Sequence, residues 1–309
     1  YQLQSSQNHA LVQRKSIVDN ALRHRGKHYV FNIDLKDFFP SIDFRRVKYC
    51  LSLPPFNLND RQAEGRDFLG FLIANLCSTE LNVERKNDHG EWIEVRKSVL
   101  PQGAPTSPTL TNIVCQRLDR KLSGLAKSVG AEYSRYADDI TYSSFHNIFQ
   151  EDSKFLKELH RIIDNQKFTI NESKTRLQKS SYRQEVTGLI VNEHISVHRR
   201  YIKKVRTIIH NWEKLGFEEA NRIFLAEYTI DKGHIKKGTV NMANVIEGKL
   251  NFLKMVRGKD NETYKRLKDR YMLLIQEKEM GYNVDKMIEV WEKDGIDKAI
   301  ELYKPTSLT

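Results

Sequence analysis

Three aspartates are the residues of this sequence best suited to metal-assisted chemistry. Asp34 directly follows an apolar, β-branched run at 29–33, and Asp138 and Asp139 lie side by side between two short runs of similar character. Because Asp34 is far from the pair in sequence, only a tertiary fold can bring the three carboxylates together. Converging carboxylates can hold Mg²⁺ ions, which keep positions for water and phosphate oxygens, and two such ions support phosphodiester formation. Taken alone, the Asp pair is more typical of a simple chain turn.

The segments around these aspartates resemble the ordered motifs of reverse transcriptases. In chain order they are IDLKDFFPSI at 33–42, LPQGAPTSP at 100–108, YADD at 136–139 and NESKT at 171–175. Four motifs in the family's own order make the chain similar to this family of polymerases. The resemblance implies an α+β fold of the mixed α/β class, with a right-hand polymerase palm, an antiparallel sheet and partial fingers, followed by an all-helical thumb.

The resemblance also implies a role for each residue that matches a family motif. Asp34, Asp138 and Asp139 match the ligands of two catalytic Mg²⁺ ions. Lys174 matches the lysine that donates a proton to the leaving pyrophosphate. Phe39 matches the ring that excludes a 2′-hydroxyl and thereby selects deoxynucleotides.

Gln102 and Gly103 lie in a loop before a predicted helix, and they match residues that contact the template and the incoming nucleotide. Glycine permits close approach of the backbone to a base pair, and glutamine offers both a hydrogen-bond donor and an acceptor. In isolation, the same pair is also typical of a generic helix-entry turn. Asp37 and Asp43 match no ligand position, so we interpret them as surface or capping residues.

Two further segments indicate one subtype of the family. Asn20 and His24 belong to an NAxxH segment before the first catalytic strand, and VTG occupies Val186, Thr187 and Gly188. Both segments resemble those of bacterial retron reverse transcriptases, and the resemblance implies that they bind RNA. It further implies dNTPs as substrates, a structured noncoding RNA as template and primer, an RNA–DNA hybrid, and antiphage defence with an effector protein.

Two other functions are compatible with the same sequence. Another bacterial defence-associated or group II intron-like reverse transcriptase would share the catalytic motifs but would use a different RNA and a different priming chemistry. A non-polymerising scaffold would bind RNA and an effector without synthesis. The scaffold is disfavoured because it has no physical need for three converging carboxylates.

The composition is typical of a basic protein with a substantial core. The 309 residues include 51 Lys and Arg against 40 Asp and Glu, and the pI is about 9.4. Such a surplus is typical of proteins that bind a phosphate backbone. We expect neither a membrane span nor a cleaved leader. Three widely spaced cysteines favour a reducing cytoplasm over a disulfide framework or a zinc site.

Hydrophobic periodicity and turn residues predict the elements that must position these side chains. The predicted helices cover 41–53, 60–77, 155–166 and most of the chain after 199, and a helix that runs into a basic turn is predicted within 16–28. Another helix is predicted to begin with Ser107 as its N-cap and Pro108 at its first position. The predicted strands cover 29–33, both sides of a hairpin around 88–90, both sides of the Asp pair, 167–170, 185–191 and 194–198.

This order of elements predicts a mixed region followed by a helical one. The predicted segments are a partial fingers remnant at 1–28, a palm at 29–198, a helical thumb at 199–275 and a C-terminal helical extension at 276–309. Because Tyr1 is not an initiator methionine, we expect further fingers residues upstream of it. The predicted helix breaks lie at Gly216, Gly233, Gly258 and Gly281.

The predicted first thumb helix, 199–212, combines a basic face with an apolar stripe. The basic residues, which we expect to lie along the phosphate backbone of a duplex, are Arg199, Arg200, Lys203, Lys204 and Arg206. The apolar residues, which we expect to face the core, are Ile202, Val205, Ile209 and Trp212. A solvated charged surface is the alternative interpretation of the same basic run.

Overall fold

The computed structural model describes residues 8–10, 12, 14–58, 66–87, 89–232, 240–296 and 298. The chain divides into two units, Tyr1–Ile195 and Ser196–Thr309, close to the boundary predicted at residue 198. The described part of the first unit mixes helices with strands, whereas the described part of the second is helical. The expected order of an α+β region followed by an all-helical region is confirmed.

The first unit alternates helices and strands along the chain. Its described helices are α1 (Ile17–Leu22), α2 (Phe44–Ser52), α3 (Arg66–Leu76), α4 (Ser107–Val114), α5 (Gln116–Ser128) and α6 (Lys154–Asn165). Its described strands are β1 (Tyr29–Lys36), β2 (Thr79–Lys86), β3 (Trp92–Val99), β4 (Glu132–Tyr136), β5 (Asp139–Ser144), β6 (Thr169–Lys179), β7 (Glu185–Val186) and β8 (Leu189–Ile190).

A four-stranded antiparallel sheet lies at the centre of the first unit. Its strand order is β4-β5-β1-β6, so β1 pairs with β5 on one side and with β6 on the other. Ile33 and Leu35 of β1 are buried in the core that also contains side chains of α4, α5 and α6. Because successive side chains of a strand point to opposite faces, Asp34 lies on the face away from these helices.

The helical layer behind the sheet is held by apolar side chains at helical spacing. Leu118 and Leu122 of α5, together with Leu159 and Ile163 of α6, are almost completely inaccessible to solvent. Their spacing of four residues places each pair on one face of its helix. Truncating such a leucine to alanine typically costs about 2–5 kcal/mol, so this layer rigidly supports β1.

The start of α4 differs from the prediction by one residue. Thr106, rather than Ser107, holds the N-cap position, and Ser107 is already inside the helix. The Ser107 hydroxyl donates to the Pro101 carbonyl at 2.7 Å instead of accepting from the first helical turn. That hydrogen bond ties the loop containing Gln102 to the helix that follows it.

Strand β6 is longer than the strand predicted at 167–170. It runs from Thr169 to Lys179, so the NESKT segment lies inside a strand of the sheet. The segment at 185–191, predicted as one strand, is instead the hairpin of β7 and β8. Its two turn residues, Thr187 and Gly188, have φ angles of 46° and 79°, as a two-residue turn of type I′ requires.

The helix predicted to run into a basic turn within 16–28 is confirmed. Helix α1 ends at Leu22, and the chain turns at Gly26, whose φ is 72°. The Gly26 N–H then donates to the carbonyls of Val191 and Asn192. The segment at 194–198 forms no regular strand. The part of the predicted helix at 60–77 that precedes α3 lies outside the described residues.

The second unit contains three long helices within its described part. They are α7 (Arg199–Lys232), α8 (Met242–Arg257) and α9 (Glu262–Asp294). The predicted apolar stripe of α7 is confirmed, since each of its members is buried: Ile202, Val205, Ile209 and Trp212.

The predicted helix breaks in the second unit have mixed outcomes. Gly216 kinks α7 with a φ of 76°, and Gly258 ends α8 with a φ of 86°, so both breaks are confirmed. Gly281 lies inside α9, which also runs without a break across 275 and 276. That predicted break was wrong, and Gly233 lies outside the described residues. Across the described chain, no helix has the length and apolar character needed to cross a bilayer.

Candidate active site

The sheet brings the three predicted aspartates together. Asp34 on β1 is the Cα partner of Asp139 on β5 and of Asn171 on β6. The backbone N–H of Leu35 donates to the carbonyl of Asp138 at 3.2 Å. Residues that are far apart in the sequence are therefore neighbours at the end of the pairing between β1 and β5. This adjacency places three carboxylate-bearing residues next to one another in the fold.

The turn between β4 and β5 has an unusual backbone conformation. Ala137 has a φ of 56°, in the left-handed region that non-glycine residues rarely adopt. Arg135 donates a hydrogen bond from Nη1 to the carbonyl of Ala137 at 3.0 Å. Placing a non-glycine residue there costs about 1–2 kcal/mol. The guanidinium therefore holds the backbone immediately before Asp138 and Asp139.

A buried ion pair positions that guanidinium. Arg135 and Asp119 of α5 are joined by two hydrogen bonds, from Nε to Oδ1 at 2.7 Å and from Nη2 to Oδ2 at 2.9 Å. The Tyr133 hydroxyl donates to the same Oδ1 at 2.8 Å. Burial alone would lower the pKa of Arg135, but the charge and hydrogen bonds of Asp119, together with Cys115 and Tyr133, outweigh it and raise the pKa above its ordinary value.

Sequence reasoning missed this ion pair, although a signal for it was present. Asp119 is three residues before Leu122 and seven before Ala126, so it lies on the apolar face of α5. Arg135 likewise occupies a strand whose neighbours are buried. A carboxylate and a guanidinium at core-facing positions indicate a buried pair, because either charge alone would be strongly unfavourable there.

The environment of the acidic residues favours the binding of positive charge. Desolvation, followed by the charges of Asp138 and Asp34, raises the pKa of the Asp139 carboxyl to about 6, although much of the residue is exposed. Desolvation and the Asp34 charge also raise the pKa of Asp138. A divalent cation would relieve this crowding of negative charge, and hard oxygen ligands suit Mg²⁺.

In the present conformation, Asp34 is engaged by two protein donors. Asn171 donates from Nδ2 to Oδ2 at 3.0 Å, and Lys174 donates from Nζ to Oδ1 at 3.2 Å. This contact with Asp34 raises the pKa of Lys174. Among the described residues, no three His, Cys, Asp or Glu side chains are arranged to hold a metal ion as they stand. The donor set fits a metal chemically, while the Lys174 ammonium contacts one of the oxygens it would use.

A pocket of about 480 Å³ lies where β1, β5 and β6 meet, and the VTG turn also lines it. Its lining includes Asp34, Asp139, Lys174, Thr187 and Gly188. The β7–β8 hairpin is fixed to the catalytic strand by Asn32, whose Nδ2 donates to the Glu185 carbonyl at 2.8 Å. The turn predicted to contact RNA is thus at the candidate catalytic centre.

The other residues of the NAxxH and VTG segments that were predicted to contact RNA are buried inside the protein. Asn20, His24 and Val186 are each at most 1% exposed, so the prediction that these side chains contact RNA is corrected. The His24 ring lies between two hydroxyls, with Nδ1 2.7 Å from Ser143 Oγ and Nε2 2.7 Å from Ser134 Oγ. Burial lowers the pKa of His24 to about 3. The NAxxH segment therefore holds α1 against the sheet.

The predicted nucleotide-contacting residues lie on neighbouring elements. Phe39 is half-buried and packs edge-on against the buried Phe38, with ring centroids 5.5 Å apart. Gln102 and Gly103 are exposed. Gly103 has a φ of 94°, and no atom lies within 4 Å of the position a Cβ would take. None of the three is among the described residues that line the pocket around Asp34.

The predicted basic face lies on α7 in the second unit. Four of its side chains are exposed: Arg199, Arg200, Lys203 and Arg206. Lys204 is half-buried. The accessibility required for contact with a phosphate backbone is present on this helix.

Comparison with known proteins identifies the class to which this fold and this set of aspartates belong. Residues 2–192 match the family described as reverse transcriptase (RNA-dependent DNA polymerase). The match covers more than half of the chain, so the protein belongs to the reverse transcriptase family. The motif resemblance seen in the sequence is confirmed.

Curated relatives place the chain near one branch of that family. It is 37% identical to the retron Mx162 reverse transcriptase of Myxococcus xanthus over 222 residues, which are 67% of this chain and 44% of the relative. It is 32% identical to the retron Ec86 reverse transcriptase of Escherichia coli over 201 residues, 64% of this chain and 53% of the relative. The chain thus spans about half the length of these relatives. The resemblance to retron-type reverse transcriptases is confirmed.

Among solved structures, a telomerase from Candida albicans in complex with a fragment of telomeric RNA can be aligned with this chain. The alignment covers 95% of this chain and 54% of the telomerase chain. The sequence identity is 11% and the TM-score is 0.43. No functional conclusion follows from a likeness of that size.

Proposed function

We propose that this chain is the catalytic core of an RNA-directed DNA polymerase of retron type. It copies a structured noncoding RNA, which serves as template and primer, into single-stranded DNA from dNTPs, as part of an antiphage defence system with an effector protein. The observation that carries this proposal is the placement of Asp34 beside Asp138 and Asp139 on adjacent strands. Relatives named as retron reverse transcriptases support the choice of subtype.

In this proposal the three aspartates hold two Mg²⁺ ions. When bound, such ions increase the reactivity of the attacking hydroxyl and stabilise the charge on the leaving pyrophosphate. Asp34 lies on β1 and Asp138 lies in the turn that leads into the adjacent strand β5, and Arg135 holds the backbone of that turn. With Asp34 as a metal ligand, the Lys174 ammonium that now contacts its Oδ1 would be available to protonate the pyrophosphate.

In this proposal, three groups of residues contact the nucleic acid and the incoming nucleotide. The Thr187–Gly188 turn lines the pocket that contains Asp34, so it contacts the strand being extended. The exposed basic side chains of α7 bind the backbone of the RNA–DNA hybrid through charge. Phe39 contacts the sugar of the incoming nucleotide, and Gln102 and Gly103 contact its base pair.

The test of polymerase function is a matched set of carboxylate substitutions. Asp34→Asn and Asp138→Asn preserve side-chain size but remove the charge, and each is expected to lower DNA synthesis on a primed RNA by at least about 10²–10³-fold. Asp37→Asn is the control, because Asp37 is exposed and its φ of 47° suits asparagine. Undiminished synthesis by the first two variants would contradict the proposal.

The subtype is tested by the nucleic acid that copurifies with the protein from its host. DNA joined to RNA through a branched 2′-linkage supports the retron function. Unbranched DNA supports the alternative of another defence-associated or intron-like reverse transcriptase. RNA without any DNA supports a non-polymerising scaffold.

A further inference from the structure

A second cavity lies in the helical layer, away from the aspartates. It has a volume of about 370 Å³ and forms where α2, the α4–α5 junction and the residues that follow α6 meet. These helices pack against the buried side chains of β1, and Asp34 lies on the opposite face of that strand. The cavity shares no described lining residue with the pocket around Asp34.

Four cationic side chains from three elements line this cavity, which we call the basic pocket. They are Arg46 of α2, Arg117 and Arg120 of α5, and Lys167 after α6. No Asp or Glu is among the lining residues. None of the four forms an ion pair with any residue in the described part of the chain.

The environment of Arg46 indicates an anion-binding site more specifically than the number of cationic residues does. Its guanidinium carbon lies 4.6 Å from the centroid of the Phe168 ring, and its Nη1 is buried without a hydrogen-bond partner. Desolvation lowers the pKa of Arg46. Leaving a charged donor buried and unsatisfied is unfavourable, and an oxyanion would supply both the missing acceptor and the missing negative charge.

The remaining lining residues suit a nucleotide unit. Asn165 brings an amide group that can donate to a phosphate or a base edge. Tyr49 is 58% exposed at the same cavity, so its ring is accessible for stacking on an unpaired base. Single-stranded RNA is commonly bound by this combination of cations and an exposed aromatic ring.

We propose that the basic pocket binds the sugar–phosphate backbone of a single-stranded RNA segment on the side of the sheet opposite the catalytic aspartates. Arg117 and Arg120, which are exposed, meet the phosphates first, and Arg46 contacts a phosphate oxygen within the pocket. The inference rests on the RNA partner of the proposed function. It adds a contact that binds the RNA without taking part in synthesis.

The test is equilibrium binding of the full chain to a labelled single-stranded RNA of about 16 nucleotides across a series of salt concentrations. The double variant Arg117→Gln/Arg120→Gln removes two exposed charges and leaves Arg46 in place. If each arginine meets one phosphate, binding at low salt should weaken about ten-fold and the slope of log K against log salt should fall by about 1.4.

The matched control is Lys127→Gln/Lys154→Gln. Lys127 lies on α5, as the two arginines do, and Lys154 lies on α6. Both lysines are exposed and outside the pocket, and the change in net charge is identical. The control should retain the parent slope. Equal weakening by both double variants would overturn the proposal, because the effect would then reflect net charge alone.

A competition arm distinguishes RNA from a small phosphate ligand. ADP and inorganic pyrophosphate should displace the labelled RNA only weakly, because each supplies few of the contacts along a strand. Full displacement by either at low concentration would overturn the RNA assignment in favour of a nucleotide site. Since binding is measured without synthesis, failure here is separate from failure of the polymerase proposal, which the Asp34 and Asp138 variants test.

Discussion

Arg135 and Asp119 form a bidentate ion pair in which the first side chain is completely buried and the second is 1% exposed. The same guanidinium donates its third nitrogen to the carbonyl of Ala137, next to the acidic pair. One planar group therefore connects helix α5 to the candidate catalytic turn. Removing one partner of a buried pair costs about 3–5 kcal/mol, because the other charge is left uncompensated.

Arg135→Lys is expected to weaken both the fold and the catalytic turn. Lysine keeps the charge but lacks the planar fork needed to reach Asp119 and Ala137 together. We expect a loss of about 2–4 kcal/mol in the free energy of unfolding. At temperatures where the variant is still folded, kcat should fall while KM for the dNTP changes little. Urea unfolding and steady-state synthesis on a primed RNA measure the two effects.

Arg161→Lys is the matched control for that substitution. Arg161 also makes a bidentate pair, with Glu158, but on the exposed surface of α6. Exposed pairs contribute about 0–1 kcal/mol, so stability and kcat should both stay near the parent values. If Arg135→Lys destabilised the protein but left kcat of the folded fraction unchanged, Arg135 would be structural only.

Lys174→Ala is expected to alter the requirement for divalent metal. The Lys174 ammonium and a cation compete for the same Asp34 oxygen, which lies 3.2 Å from Nζ. Its removal should lower the Mg²⁺ concentration needed for half-maximal synthesis by a few-fold. If Lys174 also protonates the leaving pyrophosphate, the single-turnover rate at saturating Mg²⁺ should fall by about 10²–10⁴-fold.

Lys179→Ala is the control that tests whether the predicted changes in Mg²⁺ requirement and rate are specific to Lys174. Lys179 is an exposed lysine on the same strand, β6, and does not line the pocket, so neither the metal requirement nor the rate should change. An unchanged rate in Lys174→Ala would remove the proton-donor role, and an unchanged metal requirement would remove the competition. Rapid-quench measurements over a Mg²⁺ series resolve the two.

The parts of the fold that the sequence predicted well are those with a clear apolar signal. The β-branched run before Asp34 became β1, and the apolar faces of α5, α6 and α7 are buried as their spacing indicated. The meeting of Asp34 with Asp138 was predicted from motif resemblance, not from periodicity. No local pattern can specify a contact between residues so far apart in the chain.

The elements that were mispredicted have physical reasons in common. Strand β6 borders the sheet and is polar along much of its length, so it lacks the alternation that marks a half-buried strand. In the segment at 185–191, Val186 precedes and Leu189, Ile190 and Val191 follow the turn at Thr187 and Gly188, so the turn is hidden between apolar, mostly β-branched residues. Positive φ at a β-branched residue such as Thr187 is rare, and sequence rules do not anticipate it.

Buried polar residues account for the missed parts of the site. His24 was predicted to contact RNA because its NAxxH segment resembles that of retron reverse transcriptases. Instead it satisfies both ring nitrogens with Ser134 and Ser143 inside the protein. Arg135 and Asp119 were missed for a similar reason, since mutual neutralisation is visible only when both partners are placed in space.

The stability of the protein is expected to fall in mild acid because of His24. Burial lowers the pKa of His24 from 6.5 to about 3, so between these values the unfolded chain binds a proton that the folded chain does not. The free energy of unfolding therefore decreases as the pH falls through 6.5. At about pH 5.5 the loss from this group alone is about 1.4 kcal/mol relative to neutral pH.

His24→Gln removes that titration and should flatten the pH dependence of unfolding, even if it lowers stability at every pH. Some dependence will remain, because burial also lowers the pKa of His9 to about 4. The exposed His160→Gln variant is the control and should keep the parent slope. Urea unfolding at about pH 7 and about pH 5.5 measures the difference, and equal slopes in parent and His24→Gln would contradict the assignment.

Phe39→Val is expected to relax the choice between deoxy- and ribonucleotides. The half-buried Phe39 ring packs against Phe38 with 5.5 Å between ring centroids, which fixes its orientation. A smaller side chain leaves room for a 2′-hydroxyl, so the ratio of kcat/KM for dNTP over rNTP should fall by about 10- to 200-fold. Phe38→Leu is the control, since Phe38 is a buried core residue whose change should lower stability without altering that ratio. Discrimination that is the same in Phe39→Val and in the parent would show that this ring does not contact the sugar, and selection would then have to come from another residue near Asp34.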